Sequence, residues 1–450
     1  MNMTAKKRQL PLVVGALALL AGVASPALAQ LSPCAITADI DAAGAPRLRI
    51  TGSNLKQVVT IVVNPAVPNA NVSVDCNGDG DLADATDLPA ANYAGAFDTY
   101  DIQPKGNDTV NFSLVDGAYN GVRLNPQILL GSGTNTVNLN FTGDALQASS
   151  RVLIDIAGGA ATDSVTITLP ALDASAFQVK AEMGSGNDAF TINQPVNISA
   201  GSSVPLEVNL GLGTNSLTYN MAGFPTQIGF SNLSLNVEGG TGLDTVTLNL
   251  AGRVNASRTY FAADLGAGND KFRANLDLGN FIVYNNPGLG EAHFDVNGGG
   301  GANTMTVARN GTTGGSLVAL SGFVEMRFKG GTGPDTIMVD VDDLFEFGNS
   351  IGYPGTFRVR ADGGGGNDTI NVTATTGALA QAGAQHDVVI TGGVGNDKIN
   401  INYTNDSGFV NTPATYAPAG RILLDGVVGS DTCTVTTNTV GIVNKRGCEY

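Results

Sequence analysis

The 450-residue sequence has no tryptophan, two histidines, four cysteines and only 6% aromatic residues. Without tryptophan it does not read as an aromatic-lined sugar cleft. His293 and His386 stand alone, without flanking glycines, so no Ser-His-Asp set, zinc-ligand set or polygalacturonase-type histidine motif can be assembled. Positive charge is also scarce: 23 Lys and Arg stand against 39 Asp and Glu, for a net charge of −16. With no basic cluster in the sequence, nucleic acid and anionic lipid are not expected partners. Glycine pairs such as Gly184 and Gly186 lack a following helical pattern, which sets nucleotide binding aside.

Long apolar runs are lacking too, apart from one near the start. Lys6, Lys7 and Arg8 precede an apolar stretch over 10–23, and Ala27-Leu28-Ala29 stands before Gln30. Residues 1–29 therefore read as a Sec-type signal peptide. No later stretch reaches the ~18 apolar residues of a spanning helix, so no transmembrane segment is expected. The exported chain is expected to be secreted or at the cell surface, with the periplasm left open. Four cysteines in an exported protein point to disulfides. Three pairings are open; Cys34 with Cys76 and Cys433 with Cys448 would staple one end each.

Glycine is what the chain has in abundance, with 60 residues, and it recurs in order. An Asp or Asn follows a Gly-x pair, or Ala161-Thr162 in the case of Asp163, at Asp108, Asn135, Asp163, Asp188, Asn215, Asp244, Asp270, Asn303, Asp335, Asp368, Asp397 and Asp431. Two and four residues after each stand apolar or small side chains, as at Val246 and Leu248 or Ile370 and Val372, separated mostly by Thr, Asn or Ser. That alternation is a strand with one face in a core. A similar strand precedes each turn, as at Leu235 and Val237 or Val388 and Ile390. Each unit reads strand, glycine turn, strand, then a variable return.

Units this small cannot bury their own apolar faces, so they must stack. The expected fold is all-β, a parallel β-helix or β-solenoid of about twelve coils with capped ends. Tandem β-sandwich domains are the alternative, since strand–turn–strand also fits a hairpin. The expected organisation is an N-terminal β-rich cap with an acidic loop over 30–100, a solenoid over 101–437 and a C-terminal cap over 438–450. Strands are expected at Leu48–Ile50 and Val59–Val63 within the first of these.

Four turns are complete: GGTGLDTVT from Gly239, GGTGPDTIM from Gly330, GGGGNDTIN from Gly363 and GGVGNDKIN from Gly392. They resemble the GGxGxDxUx nonapeptide of the repeats-in-toxin, or hemolysin-type calcium-binding, family. The resemblance implies calcium held between stacked turns by the repeat aspartates and turn carbonyls. It covers most of 100–435, at one nonapeptide per coil where that family runs them in tandem. An N-terminal leader is a further departure, and only the turn chemistry is carried over. On that basis the expected ligands are Asp244, Asp335, Asp368, Asp397 and Asp431, then Asp108, Asp188 and Asp270. The physics agrees, because calcium takes six to eight oxygens from carboxylates and carbonyls. Aspartates stacked ~4.8 Å apart repel by roughly 1 kcal/mol in water and more where partly buried. Plain turn chemistry is the competing reading, since Asn and Asp suit such turns without metal.

A second acidic stretch holds Asp75, Asn77, Asp79 and Asp81 around Cys76 and Gly78, followed by Asp84 and Asp87. Oxygen ligands at alternate positions followed by glycine resemble the start of EF-hand-like calcium loops; the twelfth position is Thr86. The expected function is a non-enzymatic, calcium-binding structural or adhesive module meeting surface glycans or proteins. The alternative is a polysaccharide-degrading β-helix enzyme, whose densest carboxylates would be Asp340, Asp342 and Asp343.

Overall fold

A computed structural model describes residues 34–40, 46–54, 56–64, 72–78, 97–221, 227–255, 257–276, 281–284, 290–308, 317–320, 322–344, 356–376, 385–405, 419–437 and 442–449. The expected leader, Asp79, Asp81, Asp84 and Asp87 lie outside them. The described residues form strands, turns and bends without a helix, hence with none long and apolar enough to cross a membrane.

The strands make a parallel β-solenoid. Among the described residues the leading sheet has fifteen strands, from Ala35–Ile40 to Ile442–Arg446, and all but the first run into the corner turns. The trailing sheet has fifteen, all but the antiparallel Val72–Asp75 running out of them, and a third sheet of eight short strands spans Ala118–Asn120 to Leu317–Leu320. The expectation of about twelve coils is slightly off: the solenoid has about nine turns, and among the described residues the third face has eight strands. The variable return expected from sequence carries this third face.

Register explains why the alternation was regular. Val137 sits between Val110 and Val165, and Phe190 follows them in the same row. All of them are buried. Like residues thus stack directly, and no unit needs to close a core alone. Aromatic rings stack through the interior in the same way: Phe261 lies 5.8 Å from Tyr219 and 5.3 Å from Phe294.

The solenoid begins inside the stretch that the repeat alignment left out of register. Pro46–Thr51 pairs in parallel with Thr99–Gln103, and Val58–Val63 with Thr109–Leu114. Gln57 takes the place of the corner acid in this coil, which hides the motif. Outside this coil Ala35–Ile40 and Val72–Asp75 add antiparallel, so the N-terminal end of the stack closes on strands of opposite direction. Such ends resist continuation by another parallel coil. Both terminal disulfides join the pairs named above, Cys34–Cys76 and Cys433–Cys448, with Cα atoms 5.5 and 5.6 Å apart.

Two glycine columns make the corner possible. Most coils have a positive-φ glycine two residues before the corner acid, for example Gly333 at 120°, Gly366 at 135° and Gly395 at 150°. A Cβ on Gly395 would lie 1.5 Å from the Gly366 carbonyl oxygen, so backbone rests on backbone.

Candidate metal column at the glycine corners

The corner residues turn inward. Asp108, Asn135, Asp163, Asp188, Asn215, Asp244, Asp270, Asn303, Asp335, Asp368, Asp397 and Asp431 are all at most 2% exposed. Their Oδ1 atoms form one ladder, each accepting the backbone N–H of the corner residue in the preceding coil. It starts at Gln57 N–H to Asp108 (2.8 Å) and ends at Asp397 N–H to Asp431 (2.8 Å). Between these, Asp244 takes Asn215 at 3.2 Å, Asp335 takes Asn303 at 2.7 Å and Asp368 takes Asp335 at 2.7 Å. The expected repulsion between stacked acids is therefore offset first by backbone donors.

What happens to Oδ2 divides the aspartate corners into two kinds, according to whether a backbone N–H from the two to four residues before it reaches that oxygen. At Asp163 and Asp244 the preceding Gly159 and Gly240 lack a positive φ, and their N–H groups donate to Oδ2 at 3.4 and 3.0 Å. At Asp108 the N–H groups of Lys105 and Gly106 do so, at 2.9 and 3.0 Å. These corners are closed. Asp188, Asp270, Asp335, Asp368 and Asp397 follow Gly184, Gly266, Gly331, Gly364 and Gly393, all at positive φ, and Asp431 follows Val427 at 69°. In all six, Oδ2 is buried without a hydrogen-bond partner. These corners are open.

The asparagine corners reveal what Oδ2 faces there. Asn135, Asn215 and Asn303 also follow positive-φ glycines: Gly131, Gly211 and Gly299. The Asn135 Nδ2 donates to the carbonyls of Leu130 (3.1 Å) and Gly133 (2.8 Å). The Asn303 Nδ2 donates to Gly301 (3.4 Å) and Gly330 (3.5 Å). Asn135 and Asn303 thus face turn carbonyls, while Asn215 Nδ2 donates to Asp244 Oδ1 at 3.0 Å, as Asn135 Nδ2 also does to Asp163 Oδ1 at 2.9 Å; each of these corners calls for a donor. With Asp in that place, oxygen faces oxygen.

The first glycine of the motif completes the crowding. A Cβ on Gly363 would fall 2.5 Å from Asp368 Oδ2 and 2.3 Å from the Gly392 carbonyl oxygen; at Gly330 the corresponding distances are 2.6 and 2.2 Å. Glycine leaves a small space between a carboxylate oxygen and a carbonyl oxygen of the next coil. Burial accordingly pushes the carboxyls of Asp188, Asp270 and Asp368 up to about 6, against the lowering effect of the N–H each accepts. Neighbouring corner charges push the same way. Asp335 and Asp397 are raised as well, again mainly by burial.

The sequence reading placed Asp244 with the three other complete turns; the structure separates it, because Asp244 is closed while Asp335, Asp368, Asp397 and Asp431 are consecutive and open. Among the described residues no three His, Cys, Asp or Glu side chains converge as a ready cation cage. Any ion in the column must draw its remaining oxygens from the turn backbone. In the other acidic stretch, Asp75 Oδ1 accepts the N–H groups of Asn77 (3.1 Å) and Gly78 (2.5 Å), a tight Asx turn. Asp79 and Asp81 lie outside the described residues.

Sequence reasoning missed a serine column on the opposite corner. Ser150, Ser175, Ser202, Ser231 and Ser257 are buried, each thirteen residues before its Asp or Asn corner. The Ser202 and Ser257 hydroxyls accept the N–H groups of Ser175 and Ser231. Extending the alignment backward by that offset would have found them.

No protein-family model, curated protein or solved structure matches this chain.

Proposed function

We propose that this chain is an exported, non-enzymatic β-solenoid that binds calcium at its open glycine corners and serves as a structural or adhesive module outside the cell. The observation that carries the reading is the run of four consecutive open corners at Asp335, Asp368, Asp397 and Asp431. Each has a buried Oδ2 without a hydrogen-bond partner. Carboxylate and carbonyl oxygens are the donor set of a hard cation. Asp188 and Asp270 offer the same chemistry singly, flanked by the asparagine corners Asn215 and Asn303.

In this reading the chain supplies two functions from one carboxylate. Oδ1 fixes the register of adjacent coils through the N–H below it. Oδ2 and the turn carbonyls hold the ion, which neutralises charge that burial disfavours. Calcium would then tie coil to coil along the C-terminal half. The proposed role follows: a rod whose stiffness depends on extracellular calcium, carrying its outer faces toward glycans or other surface proteins.

The deciding experiment is thermal unfolding of the exported chain in calcium and in chelator, with magnesium as the control. A ligand that binds only the folded form stabilises it, by about 2.7 kcal/mol at a hundred times its dissociation constant. A raised midpoint in calcium alone supports the reading. An unchanged midpoint leaves the corners as turns without metal and removes it.

A further inference from the structure

Away from the corners, the exterior of the leading sheet gathers charges that composition concealed. Register places Tyr260, His293, Glu325, Arg358, Asp387 and Arg421 in one column, each ten residues before its corner residue. Arg327 and Arg360 neighbour each other in the adjacent column.

Glu325, only 4% exposed, lies 2.8 Å from Arg327, 3.3 Å from Arg358 and 3.5 Å from Arg360. Asp387 lies 2.9 Å from Arg421, 3.5 Å from Arg358 and 3.7 Å from Arg360. Four guanidiniums thus share two carboxylates, in a chain of net charge −16. The other acids alongside are engaged: Glu291 with Arg258 at 3.2 Å and with His293 at 3.3 Å, Asp295 with the Tyr260 hydroxyl at 3.1 Å. His293 also faces Glu325 at 3.7 Å. Burial pushes the Glu325 carboxyl up, and Arg327 and Arg358 outweigh it, holding it below the usual range. Arg327, Arg360 and Arg421 remain about half exposed, at 53%, 46% and 50%.

Rings line the same strip. Tyr260 lies 6.0 Å from His293, His293 5.3 Å from Phe323, and the Arg358 guanidinium 5.4 Å over Phe323. Planar forks recognise carboxylates with two parallel bonds, and the exposed Tyr260 with the half-buried Phe323 offers an apolar surface beside them.

We propose that this face binds a carboxylate-bearing glycan, its acid groups on Arg327, Arg360 and Arg421 and a sugar ring against Tyr260 and Phe323. Nucleic acid fits poorly. A duplex carries a charge about every 1.7 Å, and Glu291, Asp295, Asp362 and Asp425 bound the patch. A uronate chain has one charge per sugar, so it sets fewer charges against those acids while meeting the excess of guanidinium. The inference gives the adhesive reading a partner and rests on that reading for its role, but none of its residues belongs to the calcium column.

The test is retardation of the full exported chain in native gels containing polygalacturonate, with EDTA present throughout. Methyl-esterified polygalacturonate, dextran sulfate, single-stranded DNA and phosphatidylserine vesicles serve as comparisons. Retardation by polygalacturonate that weakens with salt, and falls about tenfold in affinity for Arg360→Gln/Arg421→Gln, supports the proposal. Arg151→Gln, on the same sheet outside the patch, should bind like the parent. Should the double variant fail to fold, the single Arg360→Gln variant is read instead. No retardation, undiminished retardation of the variant, or tighter binding of ester, dextran sulfate, DNA or vesicles overturns it. Because calcium is absent, failure here with a calcium-raised midpoint removes only the glycan, and the reverse outcome removes only the metal.

Discussion

The backbone N–H of Asp368 donates to the Oδ1 of Asp397, 2.8 Å away and 29 residues later in sequence. One oxygen of the carboxylate thus holds two coils in register while the other has no donor. The two oxygens can be tested separately, because asparagine keeps the first and replaces the second.

Asp397→Asn retains the acceptor for Asp368 and puts an amide where Asn135 uses one. In chelator the variant should unfold at or above the parent midpoint. Asp397→Ala strands a buried N–H and should cost about 1–3 kcal/mol. In calcium the order reverses for Asn, whose gain from the ion should shrink against the parent. Denaturant midpoints of the three proteins in both buffers check this. A destabilised Asn variant in chelator would contradict the oxygen-against-oxygen description of the open corner.

The glycines separate by position. Gly365→Ala should be nearly neutral, since its Cβ would meet nothing closer than the Gly331 carbonyl oxygen at 3.9 Å. Gly363→Ala drives a methyl against Asp368 Oδ2, and Gly395→Ala drives one into the Gly366 carbonyl at a φ of 150°. Both should lose more than about 1 kcal/mol. Val427 is the converse case: it holds a φ of 69° where Gly393 and Gly364 stand in the coils before it. Val427→Gly should raise stability by about 1 kcal/mol, read from the same unfolding curves.

The solenoid was legible because stacking makes every coil repeat the same burial, so Val110, Val137 and Val165 had to agree. Gln57 was not legible as a corner, since a glutamine carries no turn signature. Nor could sequence tell a closed corner from an open one. Gly240 and Gly331 stand in identical GGTG contexts, yet only Gly331 has a positive φ, and that difference decides whether Asp244 or Asp335 finds a donor. The arginine cluster escaped because composition averages over the chain. Arg327, Arg360 and Arg421 are far apart until register brings them together, at offsets the inward-facing alignment did not use.

The disulfide Cys433–Cys448 closes a fifteen-residue separation around the last coil. Chain-entropy arguments give such a loop about 3 kcal/mol. In a linear stack that stabilisation stays local, because each coil touches only its neighbours. Replacing both cysteines by alanine should speed amide exchange in Ala419–Val428 and Asp431–Thr437 while leaving Asn232–Glu238 unchanged. Uniform acceleration along the rod would instead mean that the stack unfolds as one unit.

Acid should act on the two states of the column in opposite directions. Asp188, Asp270 and Asp368 stand at about 6 in the folded metal-free chain, against an ordinary value of 3.8. Between those values the folded state holds protons that the unfolded state has released, so stability falls as pH rises. In chelator, this contribution is fully present below about pH 4 and lost as pH passes through 6. A proton on Oδ2 can donate to the corner carbonyls, which is the role asparagine plays at Asn135. Calcium needs the same oxygens ionised, so its gain should grow over the window in which the proton's contribution disappears. Unfolding midpoints at pH 4.5 and 7.5, with EDTA and with calcium, measure both slopes. The chelated midpoint should drop between them and the calcium increment should rise. An increment equal at both pH values would place the ion elsewhere than on these carboxylates.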